Sequence, residues 1–259
     1  GGGTSAAPLI TFYETVMTVD FVSNQTVNTG NSRSSASFSH TYPTDPTSDR
    51  IVLVCTKTRA TSADRTSTAV TYGGSAMTAA AGGAWTNEYA AGVYHTEKWW
   101  WVLAPASNSN YTVDVTYGGS TASDQVFVIT AYNVNTAAPV GATNVATGSG
   151  ATLSVDLTST VADSAIIGGG MMRRASGEDY SVGGGTILRA DGQTGTAAQT
   201  DFTYADLTLG SPTIGVYTLT TTNATSSVQW LIGAIEIVPA AGVGVGDVLG
   251  SRVFGAIVR

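Results

Sequence analysis

Apolar and polar residues alternate with a period of two along most of the chain. Between Ile10 and Phe21, the side chains of Tyr13, Met17, Val19 and Phe21 fall on one face, and Glu14, Thr18 and Asp20 on the other. That is the pattern of a strand with one buried side. Ser34–Tyr42 repeats it more weakly, and Ile51–Thr58 is apolar or β-branched on both faces, which predicts a central strand covered on both sides. The same alternation predicts strands at Ala69–Thr78, Tyr89–Leu103, Tyr111–Tyr117, Val126–Tyr132, Thr152–Leu157, Ser164–Met172, Thr213–Thr222 and Val228–Val238. Turn-forming clusters separate them, among them Gly73-Gly74, Gly118-Gly119, Gly183-Gly184-Gly185 and Asp191-Gly192. No stretch carries a 3.6-residue period, and Ala79-Ala80-Ala81 runs straight into Gly82-Gly83. The expected fold is all-β: an antiparallel β-sandwich, jelly-roll-like, with extended terminal arms.

No linker divides the strands into groups. The expected organisation is a flexible glycine-rich arm at residues 1–8, a single β-sandwich domain over 9–239 and an apolar C-terminal tail over 240–259. One internal echo exists, Val70-Thr71-Tyr72-Gly73-Gly74-Ser75 recurring as Val115-Thr116-Tyr117-Gly118-Gly119-Ser120. Two copies are too few for a solenoid; they read as two strands ending in the same turn chemistry.

Composition narrows the function. Apolar residues make up 42% of the chain, ample for a core, while charged residues are only 11%, so Ser, Thr, Asn and Gln must supply the polar surface. The net charge of −7 leaves no basic footprint for nucleic acid. No apolar run reaches the ~20 residues of a transmembrane helix, so no membrane partner is expected. Cys55 is the sole cysteine and sits in an apolar run, which makes it a small core residue and rules out an intramolecular disulfide. The opening Gly1-Gly2-Gly3-Thr4-Ser5 fits a myristoylation signal if a Met precedes it, but reads better as a flexible arm.

Candidate chemistry is sparse. His40 and His95 both lie in predicted strands, and no nucleophile elbow, zinc signature, EF-hand loop or phosphate cradle is present. The acidic loops Asp45/Asp49 and Glu178/Asp179 offer oxygens to a structural Ca²⁺, though they read better as solvated loop carboxylates. The five glutamates show no pairing suited to glycoside hydrolysis. The expectation is therefore no catalytic residue, no cofactor and no metal. The most informative segment is Trp99-Trp100-Trp101: in a strand Trp99 and Trp101 point one way and Trp100 the other. Together with Trp85 they are candidates for an interface or a glycan contact, unless both faces are covered within the domain.

Ser48–Val54, Thr68–Thr78, Trp99–Pro105, Tyr111–Tyr117 and Trp230–Ile237, in this order, resemble a β-sandwich domain of tailed-phage virion proteins that also occurs in some bacterial exported proteins. The resemblance runs over about Ser48–Pro239. It implies a non-enzymatic head-decoration, fibre or tail-associated protein at a virion surface or outside the cell, packing against itself and other virion proteins. An extracellular carbohydrate-binding module or adhesin, with a cell-surface glycan as partner, is the alternative. The tail supplies a docking candidate: Val248, Leu249, Val253, Phe254 and Ile257 are too apolar for a free segment, and an extended strand can add to a sheet edge of a neighbour.

Overall fold

The structure is a computed structural model, and it describes residues 19–21, 26–42, 49–104, 109–174, 180–183, 186–193, 199–207, 213–223 and 228–241. Every regular element among them is a strand. The first ten are β1 (Asp20–Phe21), β2 (Thr26–Asn31), β3 (Ser35–Thr41), β4 (Arg50–Thr61), β5 (Ser67–Tyr72), β6 (Ser75–Ala76), β7 (Thr78–Ala90), β8 (Val93–Leu103), β9 (Asn110–Tyr117) and β10 (Ser123–Tyr132). After a short connection follow β11 (Val140–Gly150), β12 (Thr152–Thr158), β13 (Ala165–Arg174), β14 (Tyr180–Val182), β15 (Thr186–Gln193), β16 (Gln199–Leu207), β17 (Val216–Asn223) and β18 (Val228–Ile237). The chain is all-β and antiparallel, as the alternation predicted.

Four sheets result. In the first half β1-β10-β4-β8-β7 form one sheet, with β2 also on β10, and β3-β9-β5-β6 form a second. In the second half the sheets are β11-β18-β13-β16-β15 and β12-β17-β14. Three apolar cores lie between them. Val52, Val54, Trp100, Val126 and Val128 meet Val70, Tyr72, Val113 and Val115 in the first half. Ile166, Ile232 and Ala234 meet Leu153, Val155, Leu157 and Leu219 in the second. Between the halves, Ile51, Leu53, Cys55, Trp99, Phe127 and Ile129 meet Ile167, Met171, Ile235 and Ile237. The stretch read from sequence as one sandwich thus holds two sandwiches stacked back to back, four layers deep.

The halves share one topology. Taken in chain order, β2, β3, β4, β5, β7, β8, β9 and β10 occupy the places that β11 to β18 occupy in the second half. Across the middle core β7 packs on β11 and β18, β15 on β2, and β10 on β16. The pairs β7–β11 and β15–β2 are the same two positions exchanged between halves, as in an isologous interface. The sequence echo is unrelated to this duplication. It marks β5 and β9, which lie side by side with Val70 opposite Val115.

Two predicted strands are corrected. Ala69–Thr78 is broken by a Gly73-Gly74 turn, where both glycines have positive φ, and Tyr89–Leu103 is broken at Ala91-Gly92 between β7 and β8. β7 itself runs through the Ala-Gly stretch read as a breaker. A register shift between Ala79 and Ala84 absorbs it, with Gly82 at φ 71° in the conformation that a bulge glycine adopts without penalty. The connection between the halves is clamped by the end of the chain's last strand: Val134 bridges Pro239, Asn135 N–H donates to Val238 O, and Ala240 N–H donates to Asn133 O. The arm at 1–8, the loop residues Asp45, Glu178 and Asp179, and the tail candidates Val248, Leu249, Val253, Phe254 and Ile257 lie outside the described residues.

Candidate functional site

The tryptophans divide between cores. β8 lies between β4 and β7, with Trp99 opposite Cys55, Trp100 opposite Val54 and Trp101 opposite Leu53. Trp99 is fully buried between the halves and its Nε1–H donates to Glu97 Oε1 at 2.6 Å. Trp100 points the other way into the first sandwich, donates to Ser67 Oγ at 2.9 Å, and carries the Lys98 ammonium 4.2 Å from its ring centroid. Trp101 packs half-buried against the middle core, as does Trp85 from β7. Trp85 lies over Gly233, where a Cβ would collide with the indole ring. Trp99 and Trp100 therefore offer no surface to a glycan or a neighbour, a correction to the sequence expectation. Both faces of β8 are covered, the second by a sheet of the other half.

A row of polar side chains crosses the middle core beside the Phe127–Cys55–Trp99 row. Gln125 on β10 stands opposite Lys57 on β4, and Lys57 stands opposite Glu97 on β8. All three are completely buried. Lys57 Nζ lies 3.0 Å from Glu97 Oε2 and donates to Gly170 O of the second half at 3.2 Å. Burial pushes the Glu97 carboxyl up, against the opposing pull of Lys57 and the Trp99 N–H. Burial likewise raises the Cys55 thiol well above its ordinary value, with Glu97 adding to it, so Cys55 stays an inert thiol. Beyond the row, His95 stacks on Tyr89 at 4.2 Å. Burial, with Arg59 and Lys57 nearby, lowers its pKa to about 3, so its ring is neutral at physiological pH. His40, also buried, pairs with Tyr72 Oη at 2.7 Å. His40 on β3 and His95 on β8 belong to different sheets.

Two further carboxylates act as anchors. Asp124 is buried and accepts from Arg33 and from the Tyr117 hydroxyl at 2.8 Å. Glu236, on the last strand, accepts from the N–H groups of Ala142, Thr160 and Val161 and from Thr160 Oγ1. Burial alone would raise its pKa, but these donors outweigh burial and hold it below the usual carboxylate range. No group of three or more His, Cys, Asp or Glu suited to a metal ion occurs among the described residues.

On the surface, a groove of about 280 Å³ opens where β7 meets β11 and β18, lined by Asn87, Thr147, Gly148, Ser149 and Gln229. It presents amides and hydroxyls and no charge. Neither this groove nor the buried row was legible in the sequence. The available signal for the row was Lys57, a charge inside the longest apolar strand, together with Glu97 just ahead of the tryptophans; only the register places them side by side. No family model, no curated protein and no solved structure matches this chain.

Proposed function

We propose that the chain is a non-enzymatic structural protein of a virion surface, a head-decoration, fibre or tail-associated component that works by packing against copies of itself and other virion proteins. The observation that carries this reading is how the chemistry-bearing residues are used. Both described histidines, the Lys57–Glu97 pair, Asp124, Glu236 and two of the tryptophans are committed to holding sheets and loops together. The resulting body is a stack of four sheets, each strand crossing it with main-chain hydrogen bonds, and such a stack suits bearing load and presenting surface. Its jelly-roll-like character rests on the strand order of each half: within the chain-order series of eight, the first, eighth, third and sixth strands lie side by side, and the second lies next to the seventh in the facing sheet.

The apolar sequence of residues 242–259 supplies an attachment segment in this reading. Described backbone ends at Ala241, beside the connection between the halves, and every described strand precedes the segment. The test is deletion of the segment, followed by light scattering and by binding to particles or to full-length protein. The expected result is an unchanged melt with loss of assembly. A truncated protein that unfolds, or one that assembles as before, overturns the docking role.

The carbohydrate-binding alternative is favoured by one observation, the uncharged groove of Asn87, Thr147, Ser149 and Gln229. Neutral amides and hydroxyls suit sugar hydroxyls. A glycan array decides: a neutral oligosaccharide bound by the chain and lost with Asn87→Ala supports the alternative, and an empty array removes it.

A further inference from the structure

The Gln125–Lys57–Glu97 row is unusual in what it leaves unpaired. Lys57 has Glu97 and Gly170 as partners, and Glu97 has Lys57 and the Trp99 indole. Gln125 is as deeply buried as both, yet neither its amide nitrogen nor its amide oxygen has a hydrogen-bond partner among the described residues. A buried amide left in that state loses its water without compensation, and folded proteins seldom tolerate one without a reason. Its position supplies one. Gln125 and Lys57 are directly opposed on adjacent antiparallel strands, where facing Cβ atoms stand about 4.5–5.5 Å apart. Side chains as long as lysine and glutamine at facing positions can reach one another by a change of rotamer, without movement of the backbone.

We propose that Lys57 and Gln125 join in an intramolecular isopeptide bond, with Glu97 as the catalytic proton carrier. Three conditions for that reaction coincide in the row. The amine must lose a proton to attack, and the Glu97 carboxylate stands 3.0 Å from Nζ to take it inside an apolar enclosure. The Phe127 ring, 5.9 Å from Lys57 Nζ, and Trp99 provide that enclosure, and burial already favours the protonated form of Glu97. The carboxyl must also be oriented. The Trp99 N–H holds Oε1 at 2.6 Å, which leaves Oε2 facing Lys57 Nζ at 3.0 Å. Finally water must be absent, or the amide is hydrolysed instead, and all three side chains are sealed between the two central sheets.

The step balances without any other reagent. The Lys57 ammonium passes one proton to Glu97, and the freed Nζ lone pair attacks Cδ of Gln125. Glu97 gives its proton to Nε2, the Cδ–Nε2 bond breaks, and ammonia leaves. The new Nζ–Cδ amide returns its excess proton to Glu97, which finishes as the carboxylic acid carrying the proton that began on the ammonium. Nothing is oxidised or reduced. The product ties β4 to β10 at the centre of the stack, in a chain whose single cysteine leaves it no intramolecular disulfide.

Intact-mass spectrometry of the full chain tests this, followed by trypsin digestion under denaturing conditions. The expected mass is that of the sequence less one ammonia. Trypsin, blocked at a modified Lys57, then yields residues 51–59 joined to residues 99–173. Glu97→Gln, folded by circular dichroism, is expected at the uncross-linked mass, and so is Gln125→Leu. A wild-type chain at its full sequence mass overturns the proposal whether or not either variant folds. Loss of one water, with 51–59 joined to 66–98, overturns it as well, because the bond is then to Glu97 itself. A folded Glu97→Gln protein that still loses ammonia removes Glu97 from the mechanism.

Discussion

The Arg33 guanidinium closes on the buried carboxylate of Asp124, with Nε 2.8 Å from Oδ1 and Nη2 on Oδ2. Arg33 lies between β2 and β3, one strand in each sheet of the first sandwich, so the pair pins the crossing point to β10. Arg33 is partly exposed and Asp124 is not, so the two ends of the pair are not equivalent. Removing the arginine strands a charge in the protein, which costs about 3–5 kcal/mol for a buried pair, and the Tyr117 hydroxyl offsets part of it. Arg33→Ala is expected to lower stability by about 3 kcal/mol in urea unfolding, with Arg33→Lys recovering only part, since lysine lacks the planar fork. No change for Arg33→Ala would show the pair to be energetically idle.

The Glu236 carboxylate predicts an acid limb. Its folded pKa lies below the ordinary value, so its stabilisation is fully present above the unfolded pKa of about 4.3 and is lost as pH falls through the folded one. Denaturant midpoints measured from neutral pH down to about pH 3 are expected to fall over that window. In Glu236→Gln the fall is expected to be shallower and neutral-pH stability lower, because the neutral amide is a weaker acceptor for the Thr160 and Val161 N–H groups. An acid limb identical in the two proteins would assign the effect to other carboxylates.

Leu53 and Ile235 both end in the core between the halves, each essentially without exposure. Leu53→Ala and Ile235→Ala are each expected to cost about 2–5 kcal/mol through lost transfer energy and the cavity left behind. Because they come from opposite sides of one shared core, each is expected to shift a single cooperative melt. Two separate transitions in either variant would mean that the sandwiches unfold independently.

Gly233 gives way to the Trp85 ring. Gly233→Ala is expected to push the indole outward, costing about 1–3 kcal/mol as overpacking does and raising tryptophan exposure to acrylamide quenching. The compensating double variant with Trp85→Leu is expected to recover stability. If Gly233→Ala alone quenches and melts like the parent, the ring is not seated there.

The sequence by itself determined what a two-residue period can report. It showed that the chain is built of strands and which of them are covered on both faces. Ile51–Thr58, read as covered on both sides, does lie in the interior of its sheet, on β4. The period tells how apolar each face of a strand is. It does not tell what lies over that face, because the partner comes from a strand distant in the chain. For this reason the second face of β8 was undecided on paper and closed in the fold, and β11 escaped notice. Its weakly apolar residues are only partly buried, while at Gly148 the approach of Trp230 demands a residue without Cβ. The duplication was hidden for a related reason: it resides in which strands pair, and the two halves reach the same pairing with different residues. Only tertiary structure could set Gln125, Lys57 and Glu97 in one row, since each comes from a separate strand and antiparallel register alone makes them neighbours.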